Sequence, residues 1–288
     1  MLKLEVMKKI IFWVLAVVIS LSIMVYQRIT GPTYEKDYKI TLNGTTYQFE
    51  LPRSHGGETD CPVALLLPEP FEGNIVWRRY PTNDPWSTMA LTRQGDTLTA
   101  SLPHQPPAGK LEYHLELRSA GMPVDLGDTE NVLIRFKGAV PAWAQIPHIL
   151  LMVLTVIWSM ATILFALANM PVYKKYVGMT ILFLILGGFF FGPIVQKFAF
   201  GQYWTGWPFG EDLTDNKVLA ALLAFLAAWV LRNKSYSRWL AIGAALVMLA
   251  VYLIPHSMNG SELDPDTGKV VTGSMLLLSG LHVKWKRS

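Results

Sequence analysis

Residues 10–26 read IIFWVLAVVISLSIMVY, an apolar run without a single charge. Lys3, Lys8 and Lys9 stand before it, and Gln27 and Arg28 follow. A basic lead and an apolar core form the pattern of a secretory signal. This core is long for that purpose, however, and no small-x-small cleavage site follows it. The run is therefore expected to remain as a signal anchor. The whole chain shares its character: of 288 residues, 51% are hydrophobic and 16% charged, with a mean hydropathy of +0.31. A soluble domain of this length must cover its surface with polar groups and rarely keeps a positive mean. That excludes a disordered chain and a simple cytosolic enzyme, and makes a bilayer the second solvent.

Four further apolar runs follow. Ile146–Ala168 is long enough to cross ~30 Å of hydrocarbon at ~1.5 Å per residue. Tyr176–Ile194 contains Gly187, Gly188 and Gly192, which permit close helix approach, and Pro193 is expected to kink or end it. Val218–Leu231 and Trp239–Ile254 are short and alanine-rich, which suits tight packing within a bundle. Five transmembrane helices are expected. If they alternate, Lys3, Lys8 and Lys9, then Lys174 and Lys175, then Arg232, Lys234 and Arg238 share one side, expected to be the cytoplasm. Glu211, Asp212 and Asp215, then Glu262, Asp264 and Asp266, fall on the other. The net charge of +4 is thus spent on topology, and no basic tract supports nucleic-acid binding. A bacterial inner membrane is the expected location. Asn43-Gly44-Thr45 and Asn259-Gly260-Ser261 also fit the glycosylation acceptor pattern of a eukaryotic secretory protein.

The expected division places the N-terminus and anchor in residues 1–32 and an extracytoplasmic β domain in 33–140. A four-helix transmembrane bundle with an outer aromatic loop at 198–217 follows in 141–256, then an extracytoplasmic tail in 257–288. In the β domain, Tyr38–Leu42 and Thr46–Leu51 flank the hairpin turn Asn43-Gly44. Val63–Leu67, Asn74–Arg79, Met89–Thr92, Thr97–Leu102, Leu111–Leu117 and Asn131–Phe136 continue the strand series. Such spacing favours an all-β sandwich. The stretch Asn74–Leu117 carries Trp77 in one strand, Trp86 before the next, the turn Gln94-Gly95-Asp96, Leu98, Leu102, Pro106-Pro107 and Tyr113. It resembles immunoglobulin-like domains of the fibronectin III and E-set kind, and the resemblance covers this domain alone. It implies a β-sandwich of the sort that binds partner proteins or sugars. Trp77 reads as core. Trp86, beside Asp84 and Pro85, is the candidate for exposed partner recognition. His55, His104 and His114 have no metal spacing.

Two outer segments carry the chemistry-bearing residues. FAFGQYWTGWPFGEDLTDNK, Phe198–Lys217, gathers Tyr203, Trp204 and Trp207 before its carboxylates. One reading is an interfacial aromatic belt with Asp212 or Thr214 capping the next helix; the other is a re-entrant loop lining a site. Lys197 either snorkels to the interface or pairs with Glu211 or Asp212, or attracts an anionic headgroup or quinone. The pairs Pro147-His148 and Pro255-His256 meet the same leaflet. Two imidazoles at one depth, with Asp212, Asp215, Glu262 or Asp264, are candidate ligands for a divalent metal or iron, and the two histidines for haem. Asp264-Pro-Asp-Thr-Gly lacks the full calcium-loop pattern and reads as a solvated turn. Residues 270–281 are too short for an ordinary span and suit a hairpin around Ser279-Gly280, whereas the basic end Lys284, Lys286 and Arg287 favours a sixth, short crossing into the cytoplasm.

The lone Cys61 excludes an internal disulfide. There is no P-loop, dinucleotide fingerprint, zinc-protease helix or haem-attachment motif, and the span centres lack the carboxylates of coupled transporters. The expected function is non-enzymatic: assembly, sensing or partner binding by the β domain, with the bilayer and a membrane or periplasmic protein as partners. The alternative is a metal- or haem-dependent redox or quinone-interacting protein.

Overall fold

The structure is a computed structural model and describes residues 2–127, 130–255, 261–265 and 267–272. The chain divides into two compact units.

The helical unit takes residues 1–31, 140–197 and 202–260. Helix α1 (Leu2–Ile29) contains the opening run. Helix α2 (Ala142–Leu167) follows. Then α3 (Tyr173–Leu184), a π-helical stretch at Ile185–Phe191 and α4 (Gly192–Phe200) run on as one continuous helix. Helices α5 (Leu213–Val230) and α6 (Ser237–Leu253) complete the unit. Among the described residues, four helices are long and apolar enough to cross a membrane: Lys3–Ile29, Ala142–Leu167, Tyr173–Phe200 and Leu213–Val230. Four helices, and not the expected five, therefore have full spanning length: α6 is apolar but has only 17 residues, the short end of what a bilayer requires. Pro193 does not end its span either. It sits in α4 directly after the π-helical stretch, and the helix runs on through it.

The helices pack through small and hydroxylated residues. Ala161, Ala221, Ala241 and Ala245 lie in the core, and Ser20, Thr155, Thr162 and Thr180 are buried beside them. Each of those hydroxyls donates to the carbonyl four residues earlier and is satisfied within its own helix. Gly187 shows why a small residue is needed: a Cβ there would stand 2.9 Å from Leu151 Cβ and 3.2 Å from the Met152 backbone nitrogen. Aromatic rings fill the widest gap, with Trp13, Trp158 and Tyr176 in mutual edge contact.

The β unit takes residues 32–139, 198–201 and the chain from Ser261. Strands β1 (Lys36–Leu42) and β2 (Thr45–Leu51) form a hairpin, turned through Asn43 and Gly44, both with positive φ. The other strands are β3 (Ser54–Gly56), β4 (Cys61–Leu66), β5 (Phe71–Tyr80), β6 (Ser87–Ala90), β7 (Thr92–Gln94), β8 (Thr97–Leu102), β9 (Lys110–Ser119), β10 (Met122–Pro123) and β11 (Val132–Lys137). One sheet runs β3-β11-β9-β5-β6, with β10 on β9; a second runs β4-β8-β7. Strand β3 joins β11 in parallel, and the other ladders of these sheets are antiparallel. Alternation decides which side is buried: β4 reads buried-exposed throughout, as period-two side chains require. Leu65, Leu98, Ile75, Tyr113, Ile134, Phe136, Tyr38 and Phe49 meet in one core drawn from both sheets and the hairpin. The Tyr113 hydroxyl crosses it to donate to Pro52 O at 2.8 Å.

Two later segments belong to this unit. Strands β12 (Ser261–Leu263) and β13 (Val270–Thr272) form a hairpin, whose first strand docks by Leu263 N to Ala108 O at 3.1 Å. Its turn lies between Leu263 and Val270; the expected turn at Ser279-Gly280 falls outside the described residues. The backbone N–H of Gly138 donates to Ala199 O at 3.0 Å.

Candidate functional site

On β5 and β9, Trp77 faces Tyr113 across the ladder and Arg78 faces Glu112. Tyr113 is in the core, so alternation sends Arg78 and Glu112 to the outer side of the sheet. There the Arg78 guanidinium hydrogen-bonds Glu112 and lies over the Trp86 ring, 4.4 Å from its centroid. His114 meets Trp86 edge-on at 5.2 Å. Asn131 joins both ends of the group: its amide nitrogen donates to Glu112 Oε2 at 3.1 Å, and its Oδ1 accepts from His114 Nδ1 at 3.1 Å. Trp86 stays 38% exposed within this frame.

The loop before Trp86 is itself braced. Arg79 holds Asp84 with two hydrogen bonds, at 2.6 and 3.3 Å, and Thr82 donates to Arg79 O at 2.7 Å. The bond from Arg79 keeps the Asp84 carboxyl below its usual pKa. A large flat ring is thus presented at fixed orientation beside a charged pair and an imidazole. Chemically this is a binding platform: an apolar face ringed by donors and acceptors, with little rotamer entropy left to lose.

Farther along the same side, Lys110 pairs with Glu262. Burial pushes the Lys110 ammonium below its ordinary pKa, against the opposing pull of Glu262. Arg135 donates to Ser261 O and its guanidinium lies over the Phe200 ring, 5.1 Å from the centroid. The β12–β13 hairpin therefore covers this stretch, and Trp86 marks the open part. His55 and His104 both pack edge-on against Phe136, at 5.9 and 6.0 Å.

In the helical unit the aromatic loop is tied down by its carboxylates. Asp212 caps α5, accepting from Thr214 N at 2.8 Å and Asp215 N at 3.4 Å. Asp215 accepts from Thr205 N at 2.7 Å and Gln196 Nε2 at 3.2 Å, and Gln196 also donates to Thr205 Oγ1 at 2.7 Å. Asn216 accepts from Trp207 N at 2.7 Å. Trp204 stacks on Phe189 at 5.4 Å, whereas Trp207 and Tyr203 are exposed. Lys197 lies over the Tyr203 ring at 5.3 Å. Lys217, buried, donates to Ile254 O at 3.1 Å and Pro255 O at 3.2 Å, which satisfies carbonyls at the C-terminal end of α6.

Among the described residues, no group of three or more His, Cys, Asp or Glu side chains is placed to hold a metal ion. His148 donates from Nδ1 to Gly187 O at 2.9 Å, inside the π-helical stretch. Asp212 and Asp215 are engaged as above, Glu262 with Lys110, and Asp264 with Thr267 Oγ1 at 2.8 Å. His256 lies outside the described residues, so its pairing with His148 has no geometry here.

Arg78, Glu112, Asn131, Thr205 and Lys217 escaped the sequence reading as site residues. Arg78 and Glu112 become partners only through the β5–β9 register, which joins residues 34 positions apart. Once that pairing is assumed, alternation from Tyr113 identifies both; no motif marks Asn131. Comparison with protein-family models, with curated proteins and with solved structures finds no match to this chain.

Proposed function

We propose that the chain is an integral membrane protein of a bacterial inner membrane that presents an immunoglobulin-like β-sandwich outside the cytoplasm for assembly, sensing or partner binding. The strand order supports the sandwich: β4-β8-β7 opposes β3-β11-β9-β5-β6 across one core, with a parallel β3–β11 pair closing the larger sheet. The four long spans put the basic residues before α1, between α2 and α3, and between α5 and α6 on one side, which the positive-inside rule makes cytoplasmic, and the shorter α6 returns the chain to the other side, where Leu263 docks on Ala108. Residues 33–139 then face the other compartment.

One observation carries the binding role. Trp86 keeps 38% of its surface exposed while Arg78 and His114 hold its ring, which leaves an anchored aromatic face for an incoming surface. A photo-crosslinking residue at position 86 in the full-length protein, in its own membrane, should give a discrete adduct, and one at Gln94 on the other sheet should not. Trp86→Ala should weaken retention of that partner by about thirtyfold, as expected for a tryptophan anchor worth ~2 kcal/mol. Equal adducts from both positions, or unchanged retention in Trp86→Ala, would refute the reading.

A further inference from the structure

The β unit carries a second concave surface, remote in register from Trp86. Hairpin β1–β2 and strand β4 flank an open groove of about 590 Å³. Strand β4 pairs with β8 alone and β2 with β1 alone, so no ladder among the described residues closes the space. The two walls differ in chemistry. On the hairpin, Asp37 and Glu50 stand directly opposite each other, both exposed, and Glu35 lines the groove beside them. Like charges opposite one another weaken a ladder. Lys39, opposite Gln48, also lines the groove. On β4, the outward positions Pro62, Ala64 and Leu66 make an apolar strip, and Leu66 is 65% exposed.

A carboxylate pair that repels across its own hairpin, facing an uncovered leucine, is costly for folding and suited to a ligand that supplies a cation on one side and an apolar group on the other. We propose that this groove docks an extended segment of a partner protein in which basic and apolar side chains alternate. Alternate residues of an extended chain project to opposite sides. One set meets Asp37 and Glu50 and relieves their repulsion; the other covers Ala64 and Leu66. The site is independent of the Trp86 platform, and the two fail separately.

The test uses the full-length protein in nanodiscs of zwitterionic lipid, with Gln48→Cys carrying an environment-sensitive dye. The native Cys61 is buried and its thiol pKa is raised by desolvation to about 11, so labelling goes to position 48. The probe is the peptide Lys-Val-Lys-Val-Lys-Val, compared with Glu-Val-Glu-Val-Glu-Val, the block peptide Lys-Lys-Lys-Val-Val-Val and spermine. The proposal expects saturable binding of the alternating basic peptide alone. That binding should fall at least tenfold in Asp37→Lys/Glu50→Lys, fall less in Asp37→Asn/Glu50→Gln, and persist in Trp86→Ala. Equal binding of spermine or the block peptide, absence of binding, or indifference to the charge reversal would overturn it.

Discussion

The two units put opposite residues on their outsides. In the β unit, strands alternate, and the outward positions of β1 and β2 are Asp37, Lys39, Gln48 and Glu50. In the helical unit, Val14, Val18, Ile146, Leu150, Leu182, Phe190, Leu223 and Val230 are exposed, and the interior combines alanines, serines and threonines with large side chains such as Phe165 and Phe225. The same chain thus solves two solvent problems. In water, burial of large apolar side chains drives the fold. In hydrocarbon, apolar surface gains nothing from being hidden, so close packing of small residues and internal hydrogen bonding take over. The positive mean hydropathy comes from a helical unit that is apolar both inside and out, beside an ordinary β unit.

Substitutions that treat the units as if they shared one solvent test that contrast. The largest effect is expected where a big side chain is removed from the water-driven core: Phe136, fully buried, changed to Ala should cost about 3–5 kcal/mol in urea unfolding of the β unit. Next comes arginine on two exposed apolar positions. Val14→Arg on α1 should cost ~2.5–3.5 kcal/mol of insertion, read as membrane-integrated yield. Leu66→Arg on β4 should stay within ~0.5 kcal/mol. Equal penalties at the two positions would break the comparison.

A slightly smaller effect belongs to Cys61. The unfolded thiol ionises near 9.0, whereas burial holds the folded thiol protonated to about 11. Between these values the folded chain binds the extra proton, so stability falls as pH rises through the window, by up to about 3 kcal/mol at its end. Unfolding midpoints of wild type and Cys61→Ala should draw closer above pH 9 and keep a constant separation below it. Smallest is Asp212→Ala, which removes the α5 cap. Thermal unfolding of the detergent-solubilised protein should register about 1 kcal/mol, with greater exposure of Trp204 to a fluorescence quencher.

Strand positions were legible where alternation and turn chemistry agree. Thr97–Leu102 coincides with β8, and Asn43-Gly44 turns the first hairpin as expected. The parallel strand Ser54–Gly56 was not legible, because three residues have no period and its partner β11 lies far along the chain. Helix existence followed from the apolar runs, but length did not: α1 extends to Leu2 through residues that the composition assigns to a basic lead. Passage through Pro193 depends on the π-helical stretch before it, a tertiary accommodation with no local signature. Of the candidate site, Trp86 stood out by its loop, whereas Arg78, Glu112 and Asn131 needed the register. The carboxylates of the aromatic loop were visible as a cluster, and Asp212 caps α5 as expected; that Asp215 would bind Thr205 was not legible.

The central claim is that the helical unit lies in a bilayer, with the β unit on the side opposite the basic loops. Single cysteines at Leu66, Gln94, Lys175 and Lys234, probed with a membrane-impermeant maleimide before and after permeabilising the inner membrane of spheroplasts, test it directly. Positions 66 and 94 should label in intact spheroplasts, and positions 175 and 234 only after permeabilisation. Labelling of 175 or 234 in intact spheroplasts, or protection of 66 and 94, would contradict the account.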